Sequence, residues 1–113
     1  MEIKAREQKH IVILDIIGEM RRSEYQVPTL HQIVKKWIEE NKKNILVNFE
    51  KVKFIDSLGI GELVASFNST MNSGGNLKLM KLPPKIHLVF LITGLATVFD
   101  IYEDEEAAVD SFV

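Results

Sequence analysis

The chain has 113 residues, a length that suits one domain and allows a core to form without disulfides or metals. Its 14 basic and 16 acidic residues give a net charge of −2, which argues against a protein that binds nucleic-acid backbones through a basic face. Because there is no cysteine, the composition excludes disulfides, thiolate metal sites and cysteine nucleophiles. The sequence therefore predicts a single domain over residues 1–113 without a cofactor.

The hydropathy of the sequence indicates neither a secretory signal nor a membrane-spanning segment. The first ten residues are mostly polar and lack the apolar core of a secretory signal. The longest dense apolar run, 86–95, is too short to span a bilayer. His10, His31 and His87 lie far apart in the sequence without a metal-ligand spacing. We therefore expect a cytoplasmic protein with no metal site and no membrane contact.

Hydrophobic periodicity in the first half of the chain predicts three strands and a helix. Residues 3–8 alternate as an edge strand, and 11–17 form a strand that is buried on both faces and closed by Gly18. A helix is predicted over 28–40, with its initial proline in the first turn, where the missing N–H is not needed. Residues 45–49 form the third strand.

The second half predicts further strands that alternate with helices. In chain order these elements are a polar loop at 50–53, a helix after Ser57 that ends at 72–75, a strand at 77–79, a helix at 85–93, a short strand at 99–102 and an acidic helix at 103–111. This alternation predicts an α/β fold. We expect a mainly parallel sheet of four to five strands, an N-terminal antiparallel hairpin and about four helices.

The segment 54–63 is the most unusual part of the sequence, because it places a polar pair and two glycines between a buried strand and a helix. Open α/β sheets build their sites at this edge. Asp56 or Ser57 can cap the helix. Gly59 and Gly61 each cost about 1 kcal/mol relative to alanine in a helix. Their presence indicates positions where a side chain would not fit, either because the helix packs on the protein's own sheet or because a partner approaches closely.

Two motifs resemble those of a known family. The pattern Asp56-Ser57-x-Gly59-x-Gly61-x-Leu63 after an apolar strand resembles the phosphorylation-site signature of STAS-domain anti-sigma factor antagonists. A second stretch is similar to the closing pattern of that family: Leu91-Ile92-Thr93-Gly94-Leu95, then Phe99-Asp100-Ile101-Tyr102, then Glu105-Glu106-Ala107. The resemblance covers nearly the whole chain, and the order of elements also matches.

This resemblance implies a STAS-like fold and a phosphorylation switch. In the family, the unphosphorylated antagonist binds a serine-kinase anti-sigma factor and so frees a sigma factor for RNA polymerase. The kinase then phosphorylates a serine with ATP, the phosphoprotein is released, and a PP2C-type phosphatase reverses the modification. The resemblance assigns the phosphorylation to Ser57 and the docking surface to Asp56, Leu58, Gly59 and Gly61.

The chain departs from the family pattern after the second strand. Family members commonly carry an aspartate near this point, whereas Arg21 and Arg22 follow Gly18-Glu19-Met20 here. The simpler interpretation is that both arginines are exposed loop charges. The alternative is that one of them pairs with a phosphate on Ser57, because arginine binds phosphate bidentately.

The sequence also bears on other possible functions. We expect no enzymatic activity, because the sequence has no phosphate loop and no nucleophile elbow. The same fold also serves as a protein-interaction module in stress-signalling assemblies or transporter complexes, without a sigma-factor role. Residues 86–92 are apolar almost all round, so the sheet covers them or part of them forms a patch for weak self-association or a partner. Asp15, in an apolar strand, is predicted to be a satisfied carboxylate at a strand end or edge.

Overall fold

The computed structural model describes residues 1–21 and 28–112. Within these ranges the strands are β1 (Glu2–Gln8), β2 (Ile11–Met20), β3 (Asn44–Ile55), β4 (Asn76–Met80) and β5 (Ile101–Tyr102). The α-helices are α1 (Leu30–Glu39), α2 (Ser57–Asn72), α3 (Pro84–Thr93) and α4 (Glu105–Asp110). A 3-10 turn at Leu95–Thr97, which was not predicted, leads from α3 towards β5. The order of strands and helices is otherwise the predicted one.

The five strands form one sheet in the order β1-β2-β3-β4-β5. The β1–β2 pair is antiparallel, and the other pairs are parallel. This confirms the predicted mainly parallel sheet with an N-terminal hairpin. Each right-handed crossover moves the chain one strand further in the same direction, so the three crossover helices cover the same face of the sheet.

Successive residues of the central strands supply two separate apolar clusters. The larger cluster lies between the sheet and α1, α2 and α3, and it includes Leu14, Val34, Val47, Leu63 and Phe90. The smaller cluster lies on the opposite face beneath α4 and contains Ile11, Ile13, Leu46, Met80, Ala108 and Val109. Because side chains alternate across a strand, β2 contributes to both clusters. This confirms the prediction that this strand is buried on both faces.

The two central strands are longer than predicted. The prediction of a loop at 50–53 is wrong, because these residues continue β3, in which Lys51 pairs with Ile17 and Val52 pairs with Gly18. The prediction that Gly18 closes β2 is also wrong, since it pairs with Val52 and the strand runs on to Met20. The register shifts between Gly18 and Glu19, and the positive φ of 111° at Gly18 suits glycine at such an irregularity.

Helix α1 begins later than predicted. The hydroxyl of Thr29 accepts a hydrogen bond from the backbone N–H of Gln32 at 3.2 Å, and the Gln32 side chain accepts one from Thr29 N–H at 2.8 Å. This reciprocal capping box fixes the start of the helix at Leu30. Pro28 therefore precedes the cap instead of occupying the first turn, which corrects the prediction.

Arg6 connects three elements on the α4 side of the sheet. Its Nε donates to the Asp15 carboxylate at 2.8 Å, and its Nη2 donates to Glu105 at 2.6 Å. Asn48 Nδ2 also donates to Asp15, at 2.8 Å. Burial alone would raise the pKa of Asp15, but these hydrogen bonds outweigh it and lower that pKa. The hydrogen bond from Arg6 likewise lowers the pKa of Glu105. Asp15 is satisfied, as predicted, although it lies within an inner strand.

Replacing Arg6 with glutamine should reduce the free energy of unfolding by about 1 kcal/mol at neutral pH, a value that allows for solvent screening of partly exposed pairs. The folded state lowers the pKa of Asp15 and Glu105, so their contribution is complete above the ordinary carboxyl pKa. It is lost as the pH falls through the lowered folded values. Urea unfolding at a series of pH values should therefore show the variant and the wild type converging in acid.

Lys4→Gln is the matched control, because Lys4 lies on the same strand and makes only a surface pair with Glu2 at 3.8 Å. It should change the free energy of unfolding by less than about 0.5 kcal/mol. An Arg6→Gln effect that stays constant in acid would contradict the assignment of the stability to the two carboxylates.

Candidate functional site

The chain leaves β3 at the carboxyl edge of the parallel strands and enters α2 directly. Asp56 caps this helix, since its backbone is extended and its Oδ1 accepts a hydrogen bond from Gly59 N–H at 3.0 Å. Ser57 is already the first helical residue and is exposed. Within the described residues the Ser57 hydroxyl has no hydrogen-bond partner. The capping role that the sequence left open therefore belongs to Asp56.

Gly59 faces the sheet and is buried. A Cβ at this position would lie 2.5 Å from the carbonyl oxygen of Met20 and 2.9 Å from its Cβ. The same carbonyl accepts a hydrogen bond from Asp56 N–H at 3.1 Å. Gly59 is therefore required for the packing of α2 on the end of β2, the first of the two roles considered for the glycines.

Gly61 is different, because it is exposed and a Cβ added there would meet no atom within 4 Å. Residues four apart share one face of a helix, so Gly61 lies one turn from Ser57 on the outward side. Two apolar side chains near the serine are also exposed, Phe54 at 41% and Leu58 at 38%. We call Phe54, Ser57, Leu58 and Gly61 the serine surface.

Arg21 lies at the edge of the serine surface. Its guanidinium carbon is 4.8 Å from the ring centroid of Phe54, and its Nη1 is 3.3 Å from Glu19 Oε1. In the parallel register Glu19 pairs with Phe54 and Met20 pairs with Ile55, so Arg21 follows next to Asp56. The interpretation of Arg21 as an isolated loop charge is thus incomplete. Arg22 lies outside the described residues.

The site offers a surface and not a small-molecule pocket. A cavity of about 10 Å³ lies beside Gly59, lined by Met1, Met20, Arg21, Leu30, Gly59 and Glu62. A cavity of this size holds at most about one water molecule. In residues 1–21 and 28–112, no three acidic or histidine side chains are grouped in a way that could hold a metal ion. None of the helices in those ranges has the length and apolar character needed to cross a membrane.

Comparisons with known proteins agree with this architecture. The sequence model of the STAS domain matches residues 2–108. The chain belongs to the STAS domain family. A relative of this STAS domain in Bacillus subtilis (strain 168), named anti-sigma-B factor antagonist, is 27% identical over 109 residues, which cover 96% of this chain and 97% of the relative.

Solved structures show the same fold. An anti-sigma factor antagonist from Mycobacterium paratuberculosis matches the STAS domain with a TM-score of 0.83 and 17% identity, over 98% of this chain and 92% of the other. The phosphorylated form of the Bacillus cell fate determinant SpoIIAA matches with a TM-score of 0.74 and 22% identity, over 97% and 98% of the two chains. These likenesses confirm the predicted STAS-like fold.

Of the partner-binding residues that the sequence proposed, Asp56, Leu58 and Gly61 lie around Ser57 at the start of α2, whereas Gly59 faces the sheet and is buried. Sequence reasoning missed Phe54 as a surface residue. Strand alternation gave no signal for it, because the register shift near the end of β3 leaves Val52 and Ile55, three residues apart, both buried in the larger cluster.

The two glycines should respond in opposite directions to alanine. Gly59→Ala should lower the free energy of unfolding by about 1–3 kcal/mol, because the new Cβ overlaps the backbone of Met20. Gly61→Ala should raise the free energy of unfolding by about 0.4–1 kcal/mol, because the site is open and alanine favours a helix. Urea unfolding of both variants measures this; equal destabilisation would contradict the distinction between the two positions.

Substitutions at Asp56 and at Ser57 should also differ in their effect on the free energy of unfolding. Asp56→Ala should cost about 1 kcal/mol through loss of the cap, and Asp56→Asn should retain most of the stability. Ser57→Ala should stay within about 0.5 kcal/mol of the wild type, since the hydroxyl supports no contact. Thermal and urea unfolding test this, and a loss for Ser57→Ala as large as that for Asp56→Ala would assign a structural role to the serine.

Proposed function

We propose that this STAS domain is an anti-sigma factor antagonist of the cytoplasm, switched by phosphorylation of Ser57. The unphosphorylated domain binds a serine-kinase anti-sigma factor through the serine surface, which releases a sigma factor. The kinase phosphorylates Ser57 and the complex separates, and a PP2C-type phosphatase restores the active form. The domain itself is a binding protein and catalyses no step.

The observation that carries this proposal is the state of the Ser57 hydroxyl. A serine that accepts a phosphoryl group must enter the active site of a kinase, so its hydroxyl must be exposed and free of structural contacts. Ser57 meets both conditions, because Asp56 caps the helix in its place. Gly61, one turn away, leaves room for a partner backbone to approach the helix closely.

The remainder of the serine surface suits a protein partner. Phe54 and Leu58 expose apolar area that a complementary interface would bury. The names of the Bacillus and Mycobacterium proteins similar to this chain support the choice of an anti-sigma factor as that partner. Asp56, which the sequence resemblance assigns to the docking surface, lies next to the serine at the start of α2.

The charge change explains how phosphorylation would end binding without refolding. A phosphate adds about −1.5 to −2 charges at neutral pH. At Ser57 this charge would lie next to the Asp56 carboxylate, inside an interface from which water is displaced. A buried charge that no group of the binding partner meets costs about 3–5 kcal/mol, which corresponds to a loss of affinity of roughly two to four orders of magnitude.

The first test is phosphorylation by the purified serine-kinase anti-sigma factor of the same organism, with ATP. Intact mass should show one added phosphate on the wild type and none on Ser57→Ala. Thr97→Ala is the control, because Thr97 is exposed on the 3-10 turn but its hydroxyl donates to the carbonyl oxygen of Gly94 at 2.8 Å. It should be phosphorylated like the wild type. Phosphate on Ser57→Ala would reject the assignment of the site.

The second test is calorimetric titration of the same kinase. Wild type and Ser57→Ala should bind, and the phosphoprotein should bind roughly 100-fold more weakly or not at all. Gly61→Ala should bind more weakly than the wild type although its fold is at least as stable, because the methyl group lies on the docking face. Equal affinity of the phosphorylated and unphosphorylated forms would overturn the proposed switch.

A further inference from the structure

We propose that phosphorylation of Ser57 draws the guanidinium of Arg21 away from Phe54 and Glu19 and onto the new phosphate, so that the domain binds its own phosphate in an intramolecular ion pair. The inference rests on the proposed function only for the presence of the phosphate. It does not depend on which kinase adds it. It assigns to Arg21 the role of holding the phosphate in position. Arg21 is one of the residues at which this chain departs from the pattern of the family that it resembles.

The backbone of Arg21 is held beside the start of α2. The preceding residue, Met20, contacts α2 twice, through the hydrogen bond from Asp56 N–H and through the close packing of Gly59. The β2–β3 register therefore leads Arg21 to the level of Asp56, one residue before Ser57. Arg21 and Gly59, in the first turn of α2, also line the same small cavity.

The present contacts of Arg21 are weak enough to be exchanged. Its Nη1 is 3.3 Å from Glu19 Oε1 and 3.4 Å from Oε2, whereas charge-assisted hydrogen bonds are usually about 2.7–2.9 Å long. The side chains of Arg21 and Glu19 are 40% and 31% exposed. Arg6 provides the contrast, because it donates to Asp15 and Glu105 at 2.8 and 2.6 Å.

A phosphate is the better partner for such a guanidinium. It offers three acceptor oxygens and about twice the charge of a carboxylate, and it matches the planar arginine fork. Arg21 would also offset the repulsion between the phosphate and the adjacent Asp56. When the guanidinium moves away from Phe54, the face of the ring that it covers becomes exposed to solvent. Phosphorylation would then alter the serine surface at two places, the charge at Ser57 and the exposed ring of Phe54.

The test uses the full chain with phosphoserine incorporated at position 57 during synthesis, followed by ³¹P NMR titration. An opposite charge nearby favours the dianion, so Arg21 should make the second dissociation constant of the phosphate about three-fold larger, or more, than in Arg21→Gln. Arg21→Lys should recover only part of this effect, because lysine keeps the charge but lacks the bidentate fork.

Lys53→Gln is the matched control, since it removes one positive charge from an exposed position next to Phe54. It should change the dissociation constant by less than about 1.5-fold, as expected for a screened surface charge. The ¹⁵Nε signal of Arg21 should also shift between the unmodified and the phosphorylated chain. Equal effects of Arg21→Gln and Lys53→Gln, or an unchanged Arg21 signal, would overturn the proposal.

These outcomes are separable from the proposed function. Because the phosphate is installed without a kinase, a failure of Arg21 to bind it leaves the kinase titration unaffected. Conversely, a chain that no anti-sigma kinase binds or phosphorylates could still show the Arg21 effect on the incorporated phosphate.

Discussion

The contact between Met20 and Gly59 determines where the whole serine surface lies. The carbonyl of Met20 accepts a hydrogen bond from Asp56, and the absence of a side chain at Gly59 lets α2 approach that carbonyl. Any larger residue at position 59 must separate the helix from the strand. Such a separation would displace the cap, the serine and Gly61 together, because all three belong to the start of α2.

Two arginines of the fold differ in how firmly their partners hold them. On the α4 side, Arg6 and its carboxylates are fully committed to one another, and they hold the short helix to the sheet through short hydrogen bonds. At the end of β2, the contacts of Arg21 with other described residues are long hydrogen bonds to Glu19 and an exposed ring. Arg6 thus contributes to the stability of the fold and Arg21 to the chemistry of the site, so replacing one arginine need not affect the role of the other.

The order of the elements could be predicted because its signals are local. Hydrophobic periodicity and the prolines and glycines mark the helices and strands within a few residues. The extension of β2 and β3 could not be predicted, because residues 50–53 look like a polar loop, and the pairing of Lys51 and Val52 with β2 involves a strand that is far away in the sequence. Periodicity also gave no sign of the 3-10 turn after Gly94.

The site was predictable in composition but not in the role of each residue. Asp56 and Ser57 are both good caps, and only the extended backbone of Asp56 decides between them. Two glycines that are two residues apart lie about 200° apart around a helix, so only one of them can face the sheet. The sequence left open which one, and the position of Met20 against Gly59 resolved it.

The contact between Met20 and Gly59 joins parts of the chain that have α1 and β3 between them. It therefore requires closure of a long loop, and it forms only when the sheet has assembled. An unfolded or newly synthesised chain carries the same Asp-Ser-x-Gly motif but not the arranged surface. A partner that recognises the surface consequently distinguishes mature copies from immature ones, and the effective dose of the protein in a cell is its folded concentration, not its total abundance.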